Sequence, residues 1–359
     1  MFGKLFNFVA PFFRAENYAR GAKLQARADF FHLFLLSKAN QTWPEVKVKT
    51  LEQIRELAPT FHAQQEAVKQ HVRERTLTHL QRWREERPPP LDPVDPEKPL
   101  DEARRLQVEA EHAAQVYEAQ KRAFGFALRV APSEAGHASG RGVFVDGAMP
   151  PGTVIALYPG VWYETEHLLQ LPRAEDYFKG NEYLIARYDK VVFDASPNAL
   201  RVASPEALAN PLTVAHLMNH PPAGKKPNVM HAPLDIDTEL PPELVSLLPN
   251  VSYQRAKSKL IASSVQSPQQ RALLAGGLSQ AEAPGVKRGT VMDIISANLV
   301  QSIQADDDVN TYHGLALLTN RPVKNEELFL NYRLNPRLPY PKWYTPVDVE
   351  EDTRRWERW

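Results

Sequence analysis

The chain contains no cysteine, which excludes disulfides and also the cysteine-ligated zinc modules that could otherwise flank its core. Net charge is absent too. Its 43 basic and 43 acidic residues cancel, so there is no global electrostatic argument for nucleic-acid binding, although local basic patches stay open. No apolar run approaches the ~20 residues of a membrane span. What is present suffices for one sizeable core plus an appendage: 359 residues with 43% hydrophobic content.

Residues 1–48 form a basic and aromatic segment. Met1 to Ala28 carries Lys4, Arg14, Arg20, Lys23 and Arg27 against Glu16 alone, with Phe2, Leu5, Phe6, Val9, Phe12 and Phe13 clustered near the start. Basic, acid-poor and amphipathic is the mitochondrial presequence pattern; a first helix docking its phenylalanines onto the fold or a partner fits the same residues, with a cytoplasmic or nuclear location. Residues 49–124 read as a helical extension split by a proline-rich spacer at 88–99. Leu51, Ile54, Leu57 and Phe61 fall at helical spacing before the spacer, and Leu106, Ala110, Ala113, Tyr117 and Phe124 after it. Lys69 to Arg87 is dense in Arg, Lys, His and Gln. It could grip RNA phosphate, but the glutamates among them favour a solvated helical face.

Residues 125–335 carry the motifs. Gly140-Arg141-Gly142 reads as a tight loop whose backbone amides approach a ligand closely, or as an ordinary glycine turn. Val143-Phe144-Val145, a turn at Asp146-Gly147 and then Val154 to Tyr158 read as a β-hairpin. Asn219-His220 follows an apolar stretch; buried, the pair must be hydrogen-bonded, either clamping a polar ligand or tying two loops together. His216 reads as packing. Glu327 to Tyr332 reads as a strand ending on a tyrosine, after the apolar run Gly314 to Leu318. A long insertion around 230–312 includes a stretch from Ser263 to Gly289 rich in Ser, Gln, Gly and Ala, which reads as a flexible excursion. The tail, 336–359, gathers Tyr340, Trp343, Tyr344, Trp356 and Trp359 with Arg354, Arg355 and Arg358.

The order Gly-Arg-Gly-Val-Phe, Tyr158-Pro159-Gly160, Asn219-His220, Asn228, then Glu326-Glu327-Leu328 closing on Tyr332, resembles the SET domain of protein lysine methyltransferases. Asn210-Pro211-Leu212, Asn228-Val229 and Leu247 to Tyr253 are similar to the SET domain-containing protein nine group, over roughly Phe126 to Arg333. The resemblance implies an α+β fold in which small curled sheets with a knot-like crossing follow a helical N-terminal region. It implies S-adenosylmethionine as cofactor, held by Gly140, Arg141, Gly142, Tyr158, Asn219 and His220, with Tyr332 as the catalytic tyrosine and Asn228 helping to thread the crossing. No metal is implied. The chain departs from the family pattern at Asn325, where glycine is usual, at Pro221, where a small polar residue is usual, and at Asn331, often an aspartate.

Two functions follow as expectations. One is an S-adenosylmethionine-dependent protein lysine N-methyltransferase acting on a protein substrate, with Trp343 or Tyr344 of the tail completing a lysine channel. The other is a non-catalytic SET-fold structural subunit or assembly factor of a larger complex, such as a mitochondrial ribonucleoprotein containing RNA. In that case the N-terminal helices and the aromatic, arginine-rich tail supply partner surfaces.

Overall fold

The computed structural model describes residues 20–42, 60–91, 101–136, 140–164, 167–168, 181–237, 239–256 and 311–356. The expectations for residues 1–19, the spacer prolines at 93, 96 and 99, Leu51, Ile54 and Leu57, the Ser263 to Gly289 stretch, and Arg358 and Trp359 lie outside them.

The architecture is α+β. Three long helices come first: α1 (Arg20–Thr42), α2 (Phe61–Glu86) and α3 (Glu102–Phe124). Local chemistry sets their ends. The Thr60 hydroxyl accepts the Ala63 N–H at the start of α2, the Asp101 carboxylate accepts the Arg104 N–H at the start of α3, and Gly125, left-handed at φ +81°, closes α3. Strands β1 (Ala127–Pro132), β2 (Arg141–Asp146), β3 (Ala148–Met149), β4 (Val154–Leu157), β5 (Gly160–Tyr163), β6 (Leu184–Ala186) and β7 (Val192–Asp194) follow. Short helices α4 (Pro197–Leu200) and α5 (Pro205–Leu208) lead to β8 (Val229–Ile236), α6 (Pro242–Val245) and β9 (Asn250–Ser252). After the undescribed stretch come β10 (Tyr312–Thr319), β11 (Val323–Lys324) and α7 (Val349–Arg355).

Among the described residues the strands form four small sheets, β1-β2, β4-β10-β8, β11-β3 and β6-β7-β5-β9, with β5 and β9 parallel and the other neighbouring strands antiparallel. This corrects the hairpin expected between Val143–Val145 and Val154–Tyr158. β2 pairs with β1, with Val143 opposite Val130, whereas β4 pairs with β10. Both runs are apolar and strand-like, and local sequence does not say which neighbour offers each its hydrogen bonds. Residues 229–236 and 250–252, at the near end of the expected insertion, are β8 and β9 and belong to the core sheets.

The larger of the two hydrophobic clusters among the described residues joins helices to sheets. Phe30, Leu33 and Phe34 of α1, with Val68, Val72, Leu80 and Trp83 of α2, pack with Leu234, Leu315 and Leu317 of β8 and β10. The approach is close where α1 meets the β3–β4 turn: a Cβ on Gly152 would lie 2.2 Å from the Leu36 carbonyl oxygen, and Asn40 Nδ2 donates to the Pro151 carbonyl at 3.2 Å. The helices thus belong to the body of the fold. α3 differs from expectation. Leu106, Ala110 and Ala113 are exposed, and its buried residues are Ala119, Gln120, Ala123 and Phe124 in the last turns. The basic run of α2 is partly spent internally, through Lys69 to Asp235, Arg73 to Asp237 and Arg84 to Glu243. No helix of the described residues is long and apolar enough to cross a membrane.

Candidate functional site

Glu327 to Leu330 is extended but not a regular strand, because its two edges face different partners. On one edge the Leu328 N–H donates to the Val143 carbonyl at 2.8 Å and the Val145 N–H to the Glu326 carbonyl at 3.0 Å. On the other, the Leu330 N–H donates to the Asn219 carbonyl at 2.9 Å and the Asn228 N–H to the Phe329 carbonyl at 3.1 Å. The segment therefore runs between β2 and the loops at 219 and 228. Asn228, fully buried, completes the pairing with its side chain: Nδ2 donates to the Glu327 carbonyl at 2.7 Å and Oδ1 accepts the Phe329 N–H at 2.7 Å. A side-chain amide thereby stands in for a strand where the 327–330 segment crosses between β2 and the loops at 219 and 228.

This crossing gathers the expected site residues. Asn219 Nδ2 donates to the Arg141 carbonyl at 3.0 Å, which ties the glycine loop to the Asn-His pair. His220, buried, accepts the Tyr332 N–H on Nδ1 at 3.3 Å and faces the Thr345 carbonyl with Nε2 at 2.7 Å. Those partners require a neutral ring protonated on Nε2, in keeping with burial, which lowers its pKa. The Tyr332 hydroxyl donates to the Met218 carbonyl at 2.9 Å. Tyr158, buried under the same face, donates to the Tyr183 carbonyl at 2.8 Å.

The two glycines do different work. Gly140 is left-handed at φ +62° and has open space where a Cβ would stand. Gly142 is needed for another reason: its absent Cβ would lie 2.0 Å from Glu327 Oε1. The buried Glu327 carboxylate fills the floor of the loop, accepting from the Ser133 hydroxyl at 2.6 Å and the Glu134 N–H at 2.6 Å. Gly140 thus leaves open space beside a left-handed backbone, while Gly142 makes room for a carboxylate of the chain itself.

Tyr332 keeps 36% of its surface exposed, but its hydroxyl is sunk into the protein. Burial, reinforced by the Glu182 carboxylate and by Tyr183, pushes its pKa up to about 12. Burial holds the Tyr158 phenol well above its usual range, with Tyr332 close enough to add to the effect. Both phenols are protonated near neutral pH. Trp343 stands edge-on to the Tyr332 ring at 6.1 Å between centroids, and both rings are exposed. Tyr344 is buried and stacks on His220 at 4.3 Å. The two tail aromatics therefore divide: Trp343 faces outward beside Tyr332, and Tyr344 supports the site from beneath.

Sequence reasoning missed three contributors. Tyr183, its ring 6.4 Å from that of His216, adds a third exposed aromatic, and Glu182 sets a carboxylate beside Tyr332. His216, expected as packing, has a buried Nδ1 with no hydrogen-bond partner among the described residues, and burial lowers its pKa to about 4. An unpaired buried nitrogen, costly if left unsatisfied, can take a hydrogen bond from an incoming ligand. No group of three or more His, Asp or Glu suited to a metal ion occurs among the described residues.

Asp352 of α7 lies under this tail. It is fully buried, its Oδ1 is unpaired, and its Oδ2 is 3.5 Å from the Tyr344 hydroxyl. Burial, with the adjacent Glu351, raises its pKa from 3.8 to about 6. A raised acid pKa means the fold favours the protonated form, so this stability is complete below pH 3.8 and is lost as pH rises toward 6. Relative to Asp352→Asn, the wild type should lose about 1–2 kcal/mol between pH 5 and pH 7.5 in urea unfolding. Equal pH slopes for the two proteins would refute the assignment.

No protein-family model matches the chain, and a search of curated proteins finds no match to it.

Proposed function

We propose that the protein is an S-adenosylmethionine-dependent protein lysine N-methyltransferase built on a SET-type fold. The observation that supports this reading is that hydrogen bonds tie the Gly140 to Gly142 loop to Asn219 and His220 to Tyr332, so that the motif residues meet in one place. The residues suit the cofactor. Gly140 leaves a backbone cradle open, Asn219 Oδ1 has no partner among the described residues, and His216 Nδ1 is a buried nitrogen in want of a hydrogen bond. In this reading Gly140, Arg141 and the Asn219-His220 backbone hold the polar end, with Tyr158 beneath. Gly142 acts indirectly, through Glu327. Bound there, S-adenosylmethionine would supply an electrophilic methyl group.

The chain's own residues do the rest by placement. Methyl transfer to a neutral amine asks for an aligned nucleophile in a dry channel. With its proton committed to the Met218 carbonyl, the Tyr332 hydroxyl keeps its lone pairs to accept an amine hydrogen. Because its pKa lies near 12, it is no proton acceptor in its own right, so the ammonium's proton must leave to solvent. Exposed Trp343 and Tyr332 rings, with Tyr183 and the Glu182 carboxylate close enough to act on the Tyr332 phenol, make a setting that favours a cation.

Tyr332→Phe should lose methyl transfer about 100-fold while costing only about 1 kcal/mol of stability, since its ring stays in place. Transfer of tritium from labelled cofactor to a lysine-rich protein mixture tests it. Equal labelling by wild type and variant would remove Tyr332 from the reaction.

A second reading, a SET-fold subunit or assembly factor in a larger complex, is favoured by the exposed first half of α3, with Leu106 facing solvent. The expected mitochondrial location and RNA-containing partner belong to this reading. It predicts stable co-purifying partners that are lost with a Leu106→Asp change.

A further inference from the structure

Arg333 follows Tyr332 directly and has an unusual backbone for a bulky residue other than glycine: φ +49°, in the left-handed region. Three contacts hold it there. Its N–H donates to Asn331 Oδ1 at 3.1 Å, its carbonyl accepts the Trp356 indole N–H at 2.9 Å, and its guanidinium lies 3.0 Å from the Glu351 carboxylate. Two of the three partners belong to α7 and its C-terminal end.

α7 is in turn fixed to α1. Arg355 grips both oxygens of Asp29, at 2.5 and 2.6 Å, and donates to Glu351 at 2.6 and 2.9 Å; Arg354 donates to Gln25 at 3.1 Å. The four side chains Asp29, Arg333, Glu351 and Arg355 are between 17% and 21% exposed, so water screens them poorly. Their charges interlock: Glu351 serves both guanidinium groups, and Asp29 is the bidentate partner of Arg355. Without the Asp29 charge, two adjacent arginines would share Glu351, next to the poorly paired carboxyl of Asp352.

We propose that α1 and α7 form an ionic latch joining the two ends of the chain, in which Asp29 and Arg355 hold Arg333 in its strained conformation and so set the position of Tyr332. Asp29, Arg333, Glu351 and Arg355 are positioning residues. They act through the backbone of Tyr332 and contact none of the ligand-facing groups described above. The latch stands on geometry alone and does not depend on methyl transfer. It gives α1 a role that its sequence, basic at the start and apolar along one face, does not announce.

Hydrogen exchange read by mass spectrometry on the full chain tests it, with Asp29→Asn, which removes the charge at constant shape, and Asp29→Glu, which keeps it. In Asp29→Asn the amides of residues 331–345, including the Tyr332 N–H held by His220, should exchange at least about tenfold faster, while those of β8 and β10 keep wild-type rates. Asp29→Glu should restore slow exchange. The latch is overturned if residues 331–345 are unchanged, if β8 and β10 accelerate equally, or if Asp29→Glu behaves like Asp29→Asn.

Discussion

Asn228→Ala should cost about 3–5 kcal/mol of folding stability, a large loss for one surface-remote amide. The side chain is completely buried and replaces two backbone partners at the crossing, the Glu327 carbonyl and the Phe329 N–H, each at 2.7 Å. It also donates to Glu326 at 3.2 Å, where Arg321 completes an ion pair at 2.6 Å. Alanine leaves a buried donor and a buried acceptor without their side-chain partners. Each such orphan costs about 1–3 kcal/mol. Asn228→Asp should also destabilise, because the donor is lost and a second carboxylate is set against Glu326. Urea unfolding measures both, and a loss below about 1 kcal/mol for the alanine variant would mean that the crossing does not depend on this amide.

Gly142→Ala should have the largest effect on ligand binding of any single methyl group added to the loop. The new Cβ would sit 2.0 Å from Glu327 Oε1 and 3.2 Å from Asn219 Nδ2. Glu327 has no free direction to retreat, since the Ser133 hydroxyl and the Glu134 N–H hold its two oxygens at 2.6 Å each. Either the carboxylate is displaced and left unpaired or the loop lifts from its floor, so about 2–4 kcal/mol of stability should be lost. Cofactor affinity should fall at least tenfold. Gly140→Ala is the matched comparison. Its Cβ meets nothing within 4 Å, and the cost there is the left-handed backbone alone, about 1–2 kcal/mol. If the two variants bind and unfold alike, Glu327 is not the reason that position 142 is glycine.

The contrast between these glycines shows how far the sequence could be read. Gly140 and Gly142 look equivalent in a Gly-x-Gly loop. The carboxylate that separates them comes from Glu327, on the far side of the chain, and no local pattern announces that meeting. The resemblance singles out Asn219, His220 and Tyr332 by their order along the chain; their mutual hydrogen bonds are not legible there, since Nδ1 of His220 finds the Tyr332 backbone only once the crossing has formed. Helical structure on both sides of Pro88 to Pro90 agrees with the proline run as a break, but Leu51, Ile54 and Leu57, which carry the periodicity before it, lie outside the described residues. The packing of α3 was not legible. Its apolar spacing suggests a buried stripe along its length, but the core reaches it only at Ala119 to Phe124. The β2 and β4 runs were seen as strands and paired wrongly, because an apolar strand signals burial and leaves its neighbour unspecified. Tyr183 and Glu182 carry no motif, and only the fold brings them beside Tyr332.

The most direct test of the central claim is calorimetric titration of S-adenosylmethionine into the wild-type protein and into Gly142→Ala and Gly140→Ala, each checked for a cooperative unfolding transition. Saturable low-micromolar binding by the wild type, weakened at least tenfold in Gly142→Ala and retained in Gly140→Ala, is the predicted result. A folded wild-type protein that takes up no S-adenosylmethionine would contradict the methyltransferase reading and leave the fold as a scaffold for partners.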